Sequence, residues 1–475
     1  MTLEDKTIYE RVQLIYARNE KQIINLRLQK NAQLSKEDVM NDMLVSKLDI
    51  SSEANTCNDL VVKVGEKLKY FEIEKDGQYI GFATEMFTPS VFDAWFLLTM
   101  LKNSAIDFNF AAEVGAGKKE AEAITRIFET EIKNSARIDR WEEGRDAFVE
   151  HVRFFTARNL PVSAVLPAFP CKSFNLEKVQ SPKPDMGEEL AIRRILEFVL
   201  KVNQIYEPGM HFYIVSDGHV FSDCVNVDDD VVDEFTEELK KIYHRVRPEG
   251  FNHLFFKGLN ECFESRTKGD IAKVLLDIQV DHYLPTKLDR ETEVNRKILM
   301  LGCDDSADLI KEQIRTPGHP RLYLFRGFNK FMQEDLANTP IAQEVSSKKF
   351  KKTVAGVAYE MIRRNDAYSN LVELVFPFHL RLSIHAHHNA GPKYGIRLFN
   401  PQLCRTVNHD QDEEDRLLHI PTPWHNAVFK VSDEPKIIVA NSKLCQMYDE
   451  DNNYTGGWND NQRCYVYVRV NGYKA

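Results

Sequence analysis

At 475 residues, with 43% hydrophobic and 28% charged side chains, the chain has the composition of an ordinary globular protein, long enough for about three domains and an ample core. Its 62 Lys and Arg against 72 Asp and Glu leave a net charge of -10, which argues against broad nucleic-acid or anionic-membrane binding, so any anionic ligand needs a local basic pocket. The polar start MTLEDKTIYERVQ lacks the apolar core of a secretory signal, and no stretch approaches the ~18 apolar residues of a membrane span, so a cytoplasmic protein is expected.

In chain order, residues 1 to 30 space Ile8, Val12, Ile15, Ile23 and Ile24 among charges, which predicts one amphipathic helix followed by a polar stretch. FDAWFLLTML and KKEAEAITRIFETEIKNS predict two more helices, so residues 1–150 read as a mostly helical N-terminal extension to an α/β domain over 151–475. Between them AAEVGAGKKE is not a P-loop, because Ala112 and Lys119 stand where Gly and Ser or Thr are needed. An S-adenosylmethionine pocket fits Glu113, Gly115 and Gly117 but meets Lys119 at the third glycine position; a Gly-rich loop before a helix is the simpler account.

From about residue 160 the periodicity is clean. LPVSAVLPAF predicts a buried strand, and Asp185 with Glu188 forms a capping box that opens a helix carrying Ile192, Ile195, Leu196, Val199, Val202 and Tyr206. HFYIVS is the next strand, VVDEFTEELKKIYHRV a second helix and NHLFFKG a further apolar segment, so the fold class is α/β: a Rossmann-like, doubly wound, mainly parallel sheet, with mixed strands toward the C-terminus. The Asp-Gly of SDGH would suit a two-residue hairpin. The helix that follows leaves little room for a returning strand, however, and SDGH and CKSFN then both fall at the carboxyl edge of the sheet, where such folds bind ligands.

Lys172 in that first loop, and Lys178 ahead of the helix, are candidate phosphate holders, although a solvated loop lysine is the better account of Lys178. In LVFPFHLRLSIHAHH, His379, Arg381, Ser383 and His385 share one face of a predicted strand, opposite Leu380, Leu382 and Ile384, as on the floor of a polar site. His385, His387 and His388 lack a nearby carboxylate, so acid–base use is favoured over a metal. Arg326 in RLYLFRGFNKFMQED offers a bidentate anion contact, and Trp424 with His425 opens an apolar strand. The eight cysteines are dispersed without a C-x-x-C pair and read as free thiols; Cys171 reads as a small buried hydrophobe.

In this order FPCKSFN, PDMGEELA, YEPGMHFYIVSDGHVFSD, FRGFNKFMQEDL, LRLSIH and TPWH resemble the pyoverdine/dityrosine biosynthesis family, the isocyanide synthases and their fungal spore-wall relatives, over about residues 150 to 430. The resemblance implies condensation of an L-amino acid, often tyrosine or tryptophan, with ribulose 5-phosphate, whose carbonyl carbon becomes the isocyanide carbon. It implies no metal or organic cofactor. In the dityrosine branch the product is the N-formyl amino acid, and a separate haem monooxygenase acts downstream. On this reading His385 and His219 move protons, Asp217 orients one of them or accepts sugar hydroxyls, Lys172 and Arg381 with Arg326 hold phosphate or carboxylate, and Ser383, Trp424 and His425 line the substrate. Cys171 before Lys172 and His219 after Gly218 depart from the bacterial pattern, so the role of His219 rests on less than those of Lys172, Arg381 and His385. A non-catalytic spore-wall maturation factor of the same fold, and an S-adenosylmethionine-dependent methyltransferase, are the alternatives.

Overall fold

The computed structural model describes residues 115–134, 139–263, 284–301, 307–376, 379–385, 388–407 and 420–470, and in addition the course of five N-terminal strands. Those strands are β1 (Ile24–Leu28), β2 (Val61–Val64), β3 (Lys69–Lys75), β4 (Gln78–Thr84) and β5 (Ser104–Phe108). They form two small antiparallel sheets, β1 with β5 and β2-β3-β4. The helix expected over 1 to 30 is therefore replaced by a strand at its end; its remainder, and FDAWFLLTML, lie outside the described residues. The helical part of the N-terminal region is α1 (Lys118–Ile127), prolonged by a π turn to Ile132, and α2 (Trp141–Thr156). Gly117 precedes α1 with φ +63°, and a Cβ there would lie 2.4 Å from the Ala157 nitrogen, so this glycine serves a tight helix–helix approach. The preceding strand β5 pairs antiparallel with β1, which is not the parallel βαβ context of a nucleotide fingerprint.

The central sheet holds β6 (Val162–Pro167), β7 (Met210–Val215), β8 (Leu254–Lys257), β9 (Leu380–Ser383) and β10 (Tyr394–Gly395), all parallel, in the spatial order β10-β9-β6-β7-β8. Counted along the chain this is 5-4-1-2-3, the doubly wound arrangement whose order reverses between β6 and β9. The central strand β6 buries both faces, as its unbroken apolar run requires. The first crossover is α3 (Met186–Ile205): Asp185 accepts from the Gly187 amide at 2.7 Å while Glu188 accepts from the Asp185 amide at 2.8 Å, the reciprocal cap expected from the sequence. The stripe Ile192, Ile195, Leu196, Val199 and Val202 is buried, each side chain contributing about 1.5–3 kcal/mol of transfer free energy.

After β7 the chain makes a short helix α4 (Gly218–Phe221), not a hairpin, and then α5 (Asp229–Val246). The long connection from β8 to β9 contains α6 (Arg290–Leu301), α7 (Pro320–Asp335) and α8 (Ser347–Val375). A mixed C-terminal sheet, β11 (Cys404–Thr406), β12 (Ala427–Val431), β13 (Ile437–Ala440), β14 (Tyr454–Asn459) and β15 (Cys464–Arg469), packs over the start of α3 through Met186 and Leu190. Among the described residues no helix is long and apolar enough to cross a membrane.

Candidate active site

The reversal of strand order leaves a crevice where the chains emerging from β6 and β9 part to opposite sides. Phe169, two residues past β6, takes φ +61°, unusual for a bulky side chain, and its buried ring packs against Trp424 with centroids 5.1 Å apart. The turn sends Pro170–Phe174 across the crevice. At the end of β7, Ser216 Oγ donates to the Phe169 carbonyl at 3.1 Å and accepts from the Gly218 amide at 3.2 Å, tying the second loop to the first. Gly218 lies so close that a Cβ would meet the Pro170 oxygen at 2.4 Å and Val232 Cγ1 at 2.5 Å. Gly218→Ala is accordingly expected to cost about 1–3 kcal/mol, as overpacking does, measurable as a lowered denaturant midpoint with unchanged slope.

These loops enclose a cavity of about 130 Å³. Its apolar wall includes Phe221, Phe328, Met332, Met361 and Trp424, and its polar groups include Ser173, Asp217, Asp335, His385 and His425. Asp217 Oδ1 is buried and has no hydrogen-bond partner, and burial pushes its carboxyl up to about 6. Asp335, at the end of α7, accepts from Lys178 Nζ and from Ser173 Oγ, each at 2.7 Å. Burial alone would raise Asp335; the Lys178 ammonium and nearby His425 outweigh it and hold the carboxyl below its ordinary value. The two carboxylates thus sit in opposite electrostatic environments within one cavity.

Burial, with Lys393 adding to it, lowers His385 to about 4. Burial, then the Lys178 charge, lowers His425 to about 3. Both imidazoles are neutral at pH 7, because burial disfavours the imidazolium, and act there as neutral hydrogen-bonding groups. His425 lies 4.5 Å from the Phe331 ring, centroid to centroid, and its Nδ1 is buried without a partner. Cys171 is a thiol and not a nucleophile, since burial, reinforced by Asp217 and Asp335, pushes it up to about 12. No group of three or more metal-ligating side chains occurs among the described residues; His387 lies outside them.

Of the residues singled out from sequence, Asp217, His385, Trp424 and His425 meet in this cavity. Lys172 contributes to the wall, but its ammonium is fully buried between Asp185, which it contacts directly, and Glu188 at 3.2 Å. That charge is matched by Asp185, with the Glu188 carboxyl beside it, and is not presented to a ligand. His219 is turned the other way, its Nε2 3.2 Å from Asp233 on α5. Arg326 is exposed on α7, and His379 is packed 5.0 Å from each of the Tyr213 and Phe376 rings. Arg381 pairs in register with Val165 and is half-buried near Tyr368; neither it nor Ser383, whose Oγ accepts from the His385 amide at 3.2 Å, is among the described residues that line the cavity. Asp335 is the addition to the cavity wall, with Lys178 bound behind it. The lysine expected to be solvated is buried against a carboxylate 157 positions away, a separation that no local pattern reveals.

A doubly wound α/β domain with a carboxylate- and histidine-bearing cavity at its switch point has the architecture in which such folds place their ligand sites. The family model for pyoverdine/dityrosine biosynthesis proteins matches residues 152–450, and the chain belongs to that family. It is 43% identical over 417 residues to the spore wall maturation protein DIT1 of Saccharomyces cerevisiae, covering 86% of this chain and 78% of that one. It is 29% identical over 297 residues to an L-tyrosine isonitrile synthase of Xenorhabdus nematophila, covering 62% of this chain and 76% of the relative. Among solved structures, the PvcA protein from Pseudomonas aeruginosa shares the fold with a TM-score of 0.56 at 22% identity, over 73% of this chain and all of that one.

Proposed function

We propose that the chain is an isocyanide synthase-like enzyme that condenses an L-amino acid, tyrosine in the first instance, with ribulose 5-phosphate to give an isocyanide or the corresponding N-formyl amino acid. The observation that carries this reading is the convergence of three separate loops, after β6, β7 and β9, on one cavity that pairs aromatic walls with neutral histidines. Joining an amine to a ketone carbon and then moving protons along the sugar requires a group that accepts and returns protons near neutrality, for which Asp217, pushed up to about 6, is the nearest in the cavity, while the neutral His385 and His425 offer ring nitrogens as hydrogen-bond partners. Trp424 and Phe328 offer the flat apolar surface that an aromatic side chain packs against. For the phosphate, Lys393, whose charge acts on the cavity residue His385, supplies positive field on the β9 side. Lys172 has a positioning role, holding the start of α3 against the cavity wall.

The decisive experiment supplies purified protein with L-tyrosine and ribulose 5-phosphate labelled at its carbonyl carbon. Label is expected in the isocyanide or formyl carbon of an amino-acid product. Its absence with tyrosine, tryptophan and the other common amino acids would remove the reading, and sugar-phosphate binding without turnover would favour a non-catalytic role in spore-wall maturation.

A further inference from the structure

We infer that Asp217 is the site for the amino group of the amino-acid substrate: it holds the ammonium as its counter-ion and removes its proton before the nitrogen attacks. The inference rests on the amino-acid reading above. Buried charges in proteins are paired, because an unpaired carboxylate out of water is costly. Asp217 breaks that rule: Oδ1 is buried in the cavity wall without a partner, and the one interaction favouring its charged form is a hydrogen bond from its own backbone. The other carboxylate, Asp335, is already satisfied by Lys178 and Ser173. Both carboxylates act electrostatically on Cys171, so an arriving cation meets a negative region in which one member is unmatched. An ammonium supplies both the missing charge and a hydrogen-bond donor.

The proton step balances simply. One N–H bond of the ammonium breaks, its electron pair stays on nitrogen, and the proton goes to Asp217, leaving a neutral amine and a neutral carboxylic acid. An Asp at about 6 lies much nearer to an α-amino group, about 8 in peptides, than an ordinary carboxylate does.

The pH signature follows from the groups around it. Lys172 is held charged: burial would lower it, but Asp185 and Glu188 more than offset this. Asp335 is held ionised, His385 and His425 are neutral above about 4 and 3, Cys171 stays protonated to about 12, and burial pushes the Tyr368 hydroxyl, which feels Asp217, well above its ordinary value. Asp217 is thus the member of this set that titrates near pH 6.

The test is calorimetric binding of L-tyrosine and of 3-(4-hydroxyphenyl)propionate, which lacks the amine, to the full chain and to Asp217→Asn between pH 5 and 8. Tyrosine affinity is expected to rise several-fold through pH 6 in the wild type. In the variant it should be flat and weaker by tenfold or more, the scale of a hydrogen bond to a charged group, while the deaminated compound binds the variant at least as well as the wild type. The wild-type pH curve stands alone should the variant not fold. Tyrosine binding that ignores both pH and the substitution overturns the assignment and leaves the amino-acid reading intact. A wild type that binds neither tyrosine nor any other L-amino acid overturns both.

Discussion

Asp223→Ala is expected to cost about 3–5 kcal/mol, the scale set by removing one partner from a buried ion pair, and so to consume a large share of a typical total of about 5–15 kcal/mol. Asp223 is fully buried and accepts from Arg364 Nη1 at 2.5 Å and Nη2 at 2.8 Å, a bidentate pair, with Arg296 Nε a further 3.4 Å away. Both arginines are themselves fully buried. Arg364 on α8 also contacts Glu360 at 3.1 Å, and Arg296 on α6 contacts Asp229 at 2.7 Å. Without Asp223 two guanidinium groups lose a shared anion in a place water does not reach. The damage also extends to the cavity. Arg296 donates to the His219 carbonyl and Arg364 to the Val220 carbonyl, each at 2.8 Å, so the two arginines pin the turn that follows Asp217. Chemical denaturation and tyrosine titration should therefore show both stability and binding lost in Asp223→Ala, whereas a midpoint matching the wild type would mean that the network carries no net weight.

Much of this architecture could be read from residues close together in sequence. The strand at Val162–Pro167, the Asp185–Glu188 cap, the stripe on α3 and the strand at Met210–Val215 each follow from spacing within one element, and each is present. The carboxyl-edge placement of SDGH followed from the βαβ register rather than from its own turn-like chemistry, and it correctly displaced the hairpin. Long-range electrostatics were not legible. Asp185 and Glu188 read as a helix cap, but the cap's acidic side chains also capture Lys172, so a lysine that reads as a ligand holder is spent internally. Likewise nothing near Lys178 in sequence announces Asp335, because the partner arrives with the last turn of α7 after a crossover whose path local periodicity does not encode. His219 and His385 look equivalent as polar residues after strands, and only the packing of α5 separates them.

Lys172→Met tests the internal role of that lysine and is expected to cost about 3–5 kcal/mol near pH 8, again the scale of an orphaned buried charge. The substitution fills the volume of the alkyl stem, so the loss is electrostatic and not a cavity effect. Burial, opposed by Lys172, already holds Glu188 up at about 8 against an ordinary 4.5. A carboxyl whose folded value is raised favours folding in its protonated form, so its contribution is present below the unfolded value and fades as pH climbs through the folded one. Removing the ammonium deletes the attraction that keeps Glu188 from rising further. The stability gap between variant and wild type should therefore be nearly constant from pH 5 to 7, where Glu188 is protonated with or without the ammonium, and widen as pH climbs through about 8. Glu188→Gln in the wild-type background should be mild near neutrality, because Glu188 is largely protonated there, and combined with Lys172→Met it should recover part of the loss. Melting midpoints for the two single variants and the double variant across that range decide the matter. A Lys172→Met protein that melts like the wild type at every pH, yet no longer binds the sugar phosphate, would reassign the ammonium from the foundation of α3 to the ligand.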